Sequence, residues 1–322
     1  MNESMVILRH PYFSEVHEKI GFEIEGIQVI TECNRGGMTL TLRGESEEKK
    51  KVFFTILDLL FAYLGGFPEI IELVNDGCYA DASKLAGRYK TSSYVTKKNL
   101  CQCKINAESF NATSLTKFFN MHINLPTSSM QYLVSKNYEH VVTNHKITLL
   151  LHVIDGVVDN NRIKEIQSEL IDKYQIPPDY QPGKYTCKAY QIFQDTLFRA
   201  EANYSCEILQ LLNVSEYSFL QVITDTRNMY SHFSSKKGSN LQRGVEMIIY
   251  FEIVHYCIRS YIINALDVEI DEEQDKEFYY SVHDWILEIL YDRRDDIKSK
   301  TYKNVASFEQ MRIMVEKLVH GM

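Results

Sequence analysis

The chain has 322 residues, 45% of them hydrophobic, which is ample for packed cores and favours two domains over one. A formal net charge of -8 excludes a protein that coats nucleic acid by bulk electrostatics, so any such contact must use a local patch. Seven cysteines, an odd number, without a signal peptide point to the reducing cytoplasm, and Met247 to Leu266, the most apolar stretch, is interrupted by Glu252, His255 and Arg259, which excludes a membrane span.

In chain order, the first stretch alternates loosely through Phe22, Ile24, Ile27 and Val29 and reaches Asn34-Arg35-Gly36-Gly37. Met38 to Leu42 then alternates cleanly, which predicts a β-hairpin. Ser46, followed by Glu47, Glu48 and three lysines, opens an amphipathic helix with Val52, Phe53, Ile56, Leu57, Leu60 and Leu64 on one face, stopped by Gly65-Gly66-Phe67-Pro68. From Arg88 to Leu125 the chain is rich in Thr, Ser, Tyr, Phe and Asn, and short pieces such as Phe118 to Leu125 read as strand. Helical periodicity returns from His145 to Val158 and from Ile163 to Tyr174.

The clearest boundary follows, at Gln175-Ile176-Pro177-Pro178-Asp179-Tyr180-Gln181-Pro182-Gly183, where residues that break regular structure crowd together. Everything beyond it reads as helix: Cys187 to Leu212, Ser215 to His232 with Ser215 as N-cap, Leu241 to Leu266, a segment marked by Phe278 to Ile289, and another by Phe308 to Leu318. The expected architecture is an α+β domain over residues 1–180, then an all-α antiparallel helix bundle over 186–322.

One stretch concentrates acid–base chemistry, a fixed cation and a helix end: Asp225-Thr226-Arg227-Asn228-Met229-Tyr230-Ser231-His232-Phe233. At the negative end of a helix dipole an imidazole is favoured in its protonated form, and an arginine offers planar donors that match a phosphate. Lys236, Lys237 and Arg243 add local cations against Asp225, which suits phosphate binding. Residues five apart on a regular helix point about 140° apart in projection. Either the helix ends between Arg227 and His232, or a second copy completes the site.

Arg227-Asn228-Met229-Tyr230-Ser231-His232 resembles the signature of HEPN ribonucleases: an Arg, a polar residue, and a His after four to six intervening positions. The string from Thr224 through Phe233 to Lys236-Lys237 is similar to the ApeA-like branch found in bacterial defence proteins. The resemblance covers roughly the last 140 residues; the N-terminal part resembles that branch only loosely, and no residue is carried over from it. It implies a metal-independent, cofactor-free endoribonuclease in which the RNA 2′-hydroxyl attacks the adjacent phosphate. His232 is then general acid or base, Arg227 stabilises the transition state and Asn228 orients one of them. It also implies a homodimer through the C-terminal bundle, an N-terminal domain that senses a trigger or restrains the nuclease, and a role in abortive phage defence. Some family toxins carry a Tyr two residues after the His; here Ser234 stands there, so silencing by modification of that tyrosine is not expected. The alternative is a catalytically silent helical module that binds a protein or nucleotide partner, which a buried Arg227 paired with Asp225 would favour.

Rival sites carry less. Cys101 and Cys103 have no matching pair at zinc-ligand spacing, and His10, His17, His140, His145 and His152 lack i,i+4 partners, so these groups are read as core or surface residues. The excess of apolar positions at Leu241, Val245, Ile248, Phe251, Ile258 and Ile262, with Tyr217, Phe219 and Tyr230, is read as surface that a two-fold partner covers.

Overall fold

The computed structural model describes residues 3–9, 19–34, 37–64, 69–75, 78–79, 112–123, 143–158, 160–198, 209, 214–232, 245–266 and 287–288. The chain divides into two compact units, Met1–His140 with Ile262–Phe278, and Val141–Tyr261 with Tyr279–Met322.

The first unit holds an antiparallel sheet of β1 (Glu3–Arg9), β2 (Lys19–Ile24), β3 (Ile27–Asn34), β4 (Gly37–Arg43), β5 (Glu69–Asn75) and β6 (Cys78–Tyr79) in the order β2-β3-β4-β1-β5-β6. Alternation fixes the register. Val6 faces Leu40, Leu8 faces Met38 and Val29 faces Leu42, and all six are buried, so a one-residue slip would turn this apolar set to solvent. The β2–β3 link is the two-residue turn Glu25-Gly26, both at positive φ (51° and 73°), the left-handed geometry that matches hairpin twist. Gly44 is required for a second reason: its φ is 153°, and a Cβ there would lie 2.3 Å from Ile27 Cδ1. Helix α1 (Ser46–Leu64) packs against β3 and β4, burying Val52, Phe53 and Ile56.

The predicted hairpin and α1 are present. Two readings change. Strand β5 was not anticipated, because Ile70-Ile71 and Leu73-Val74 come in adjacent pairs that break the two-residue alternation. The strand expected at Phe118–Leu125 is instead helix α2 (Ala112–Ile123), packed on α1 and β2. Ser114, Leu115 and Phe118 are its buried positions, spaced i, i+1 and i+4, while Thr113, Thr116 and Asn120 are exposed. That is one helical face, and it outweighs the strand propensity of Thr and Phe.

The second unit is helical over its described residues: α3 (Thr143–Val157), α4 (Ile163–Tyr174), a 3₁₀ turn (Pro178–Tyr180), α5 (Lys184–Asp195), α6 (Glu216–His232) and α7 (Val245–Ala265, through Tyr261). Helices α5 and α6 pack on each other and on α3. Phe219 of α6 is wedged edge-on against Phe193 of α5 and stacked on Tyr250 of α7, with centroids 5.1 Å away in both cases. The Pro-rich stretch read as a domain boundary lies inside this unit, where Ile176 is buried and Gln167 Nε2 donates to the Pro182 carbonyl at 2.8 Å.

The single helix expected from Cys187 to Leu212 starts earlier and stops at Asp195. Thr196 Oγ1 donates to Ile192 O (2.7 Å), and the Phe198 amide reaches back to Phe193 O (2.7 Å). These bonds replace the regular ladder and turn Leu197 and Phe198 into the core. Ser215 caps α6 as read, accepting from the Ser218 amide at 3.2 Å. Phe219, Phe251, Ile258 and Ile262 are buried by the chain itself, so they do not need a partner to cover them. The helices expected at 278–289 and 308–318 fall outside the described residues, apart from helical Leu287 and Glu288. Among the described residues no helix is long and apolar enough to cross a membrane.

Candidate functional site

Helix α6 runs without a break from Glu216 to His232, so Arg227 and His232 share one helix. The arrangement in which the helix ends between them is therefore not the one adopted. On a regular helix positions five apart lie about 140° apart around the axis, and His232 stands at the carboxyl end of α6. The side chain of His232, and Lys236, Lys237 and Arg243 entirely, lie outside what the structure describes.

Arg227 is held on three sides. Its Nη2 donates to Asp155 Oδ2 at 3.1 Å, its Nη1 donates to Asn228 Oδ1 at 3.3 Å, and its guanidinium lies over the Tyr185 ring, 5.0 Å from the centroid. The partner is not Asp225, which is two positions away on the helix and faces another direction. Asp155 comes from α3, 72 residues earlier. Its carboxylate also lies 3.7 Å from Lys188 Nζ of α5, which in turn donates to the Asp155 backbone carbonyl. Tyr185 and Lys188 sit three apart on α5 and so share the face that meets α3; the Tyr185 hydroxyl donates to Leu151 O at 3.0 Å.

Burial sets the protonation chemistry here. The Lys188 side chain is only 4% exposed, and loss of hydration lowers its pKa while Asp155 opposes the shift. His152, one turn before Asp155, is lowered first by burial and then by the Arg227 charge, with Asp155 pulling the other way. The Tyr185 phenol is raised well above its usual value by burial. Two fixed cations thus share one carboxylate at the junction of α3, α5 and α6.

Arg227 and Asn228 also line an open groove of about 940 Å³. Tyr174 of α4, residues from Ile176 to Lys184 with Tyr180 closing the 3₁₀ turn, and Tyr217, Gln221, Thr224 and Asp225 of α6 form its walls. The sequence motif names Arg227 and Asn228, and the structure gathers Asp155, Lys188 and Tyr185 around Arg227. No local pattern marks a residue whose partner lies 33 or 72 positions away. The one available signal was Lys188 itself, a lysine among Ala189, Tyr190, Ile192 and Phe193 on an otherwise buried helix.

Cys187 and Cys257 are buried free thiols, pushed up to about 11 and about 12 by burial, in keeping with inert core residues; Cys101 and Cys103 lie outside the described residues. Among the described residues no three His, Cys, Asp or Glu side chains converge as metal ligands. Comparison of the chain with protein-family models, curated proteins and solved structures returned no match.

Proposed function

We propose that the chain is a metal-independent endoribonuclease of the HEPN type, acting in the cytoplasm in bacterial anti-phage defence. The observation that carries this reading is the pinning of Arg227: its guanidinium is oriented by Asp155, Asn228 and Tyr185 and borders an open groove. A cation fixed before substrate arrives stabilises developing phosphorane charge without reorganising. In the reaction the 2′-oxygen bonds to phosphorus as its proton leaves, and the bond to the 5′-oxygen breaks as that oxygen gains a proton. The products are a cyclic phosphate and a 5′-hydroxyl. His232, at the carboxyl end of the helix that carries Arg227, serves as the acid or base, and Asn228 acts by orienting Arg227. The C-terminal helices then form a HEPN-like antiparallel bundle, and the N-terminal sheet domain senses or restrains. Because α6 is unbroken, a homodimer that brings two copies of the motif to one cleft is the natural way to use both residues.

One observation favours a second reading. Arg227 is already paired with Asp155, as expected of a silent module that uses the fold to bind a protein or nucleotide. Incubation of the purified protein with total RNA in EDTA separates the two. We expect fragments with cyclic phosphate ends, a loss of about a hundredfold or more in His232→Ala, and twice the 37.6 kDa chain mass by light scattering. Intact RNA under every condition selects the silent module, and cleavage that requires added magnesium or manganese removes the proposed mechanism.

A further inference from the structure

Among the described residues four tyrosines line the groove beside Arg227, and three of them are committed to the protein. Tyr174 and Tyr217 stack on each other with centroids 5.3 Å apart, and Tyr185 carries the Arg227 guanidinium on its ring. Tyr180 is different. It is 73% exposed, and among the described residues no ring or cation packs on it.

Its backbone is nevertheless braced. Tyr180 closes the 3₁₀ turn through a 2.9 Å bond from its amide to Pro177 O, and Pro177, Pro178 and Pro182 restrict the segment. Buried Ile176 anchors one end, and the Gln167–Pro182 bond ties the other to α4. A large ring held out on a stiff turn at the lip of a groove loses little entropy when a flat partner settles on it.

The charges in the groove narrow the partner. Lys184 and Arg227 are matched by Asp179 and Asp225, so among the described residues the lining is neutral in sum. Such a surface gives no purchase to a dense phosphate array like a duplex, whose binding is chiefly electrostatic. It suits one phosphate at Arg227, a base face on Tyr180, and hydrogen bonds from base amino groups or a ribose hydroxyl to the carboxylates. A volume of about 940 Å³, open to solvent, has room for a base and its adjoining phosphate.

We therefore infer that the groove is a single-stranded RNA subsite, with an unpaired base stacked on Tyr180 and the adjoining phosphate on Arg227. The inference rests on the nuclease reading for its choice of RNA. The test uses the full chain carrying His232→Ala, so that cutting is slowed about a hundredfold or more, and a short labelled single-stranded RNA followed by fluorescence anisotropy. Adding Tyr180→Ala should weaken binding about ten- to a hundredfold, the scale of one lost base stack. Tyr180→Phe should bind as the parent does, and a duplex of the same sequence should bind far more weakly. Unchanged affinity in Tyr180→Ala, or equal affinity for the duplex, overturns the subsite. If the wild-type chain cuts RNA while Tyr180→Ala changes neither binding nor KM, the subsite falls and the nuclease stands. If no RNA is cut yet binding depends on Tyr180, the nuclease falls and the subsite stands.

Discussion

At the start of α6, Glu216 accepts from the Tyr174 hydroxyl and pairs with Lys173 at 2.9 Å, while Tyr190 donates to Glu169 at 2.8 Å beside them. Near its end, Arg227 and Lys188 divide the single carboxylate of Asp155. Both clusters join α6 to neighbouring helices with the same kinds of residue. They differ in water. Lys173 and Glu216 stay partly solvated and can each find another partner, whereas Lys188 is sealed in and depends on what α3 supplies. A charge that cannot rehydrate makes its neighbours obligatory; a solvated one makes them optional.

The largest expected effect tests that difference directly. Asp155→Ala leaves Lys188 buried without its carboxylate and should cost about 3 kcal/mol in urea denaturation, the lower end for a broken buried pair because Asp155 is itself 37% exposed. Adding Lys188→Met should recover much of the loss. A cost below about 1 kcal/mol for Asp155→Ala would put the two clusters in one class and break the comparison.

A middle effect concerns acid. The folded pKa of His152 is lowered from 6.5, so below that value the unfolded chain binds the proton more readily than the folded one. Stability should be unaffected by His152 above about pH 7, and should fall as pH drops through 6.5 until the folded pKa is reached, by at most roughly 1.4 kcal/mol per pH unit. Unfolding midpoints of wild type and His152→Gln should converge at high pH and separate in acid. Parallel curves would show that neither burial nor the Arg227 charge lowers the His152 pKa.

The smallest effect belongs to the other end of α6. Glu216→Gln should change stability by less than about 1 kcal/mol, since Lys173 remains hydrated and Tyr174 keeps a hydrogen-bond acceptor. A larger loss in the same urea titration would mean that the solvated network is as obligatory as the buried one.

What the sequence revealed follows the range of the interactions involved. Ser215 was readable as a cap because it and Ser218 lie within one turn. The hairpin and α1 were readable because alternation and helical spacing are local patterns. Around Phe118 the strand propensity of a Thr-rich stretch competes with the helical spacing of Leu115 and Phe118, and in the fold the spacing prevails. The break at Thr196 was missed since a threonine bonding back to its own helix leaves no mark in an apolar pattern. The short motif names Arg227 and Asn228 but carries no sign of what positions them. Asp155 is one aspartate among many until the fold brings α3 against α6.

The continuity of α6 has a mechanical consequence. Tyr217 on the groove wall and Arg227 farther along are ten residues apart, about 15 Å on one stiff rod. The rod is clamped midway between them, where Phe219 and Ile223 are fully buried and Phe219 is gripped by Phe193 and Tyr250. Wall and cation therefore move as one body or not at all. The turn that carries Tyr180 is braced as well, so adjustment to a guest of different width falls to rotation of the exposed Tyr180 side chain rather than to either backbone.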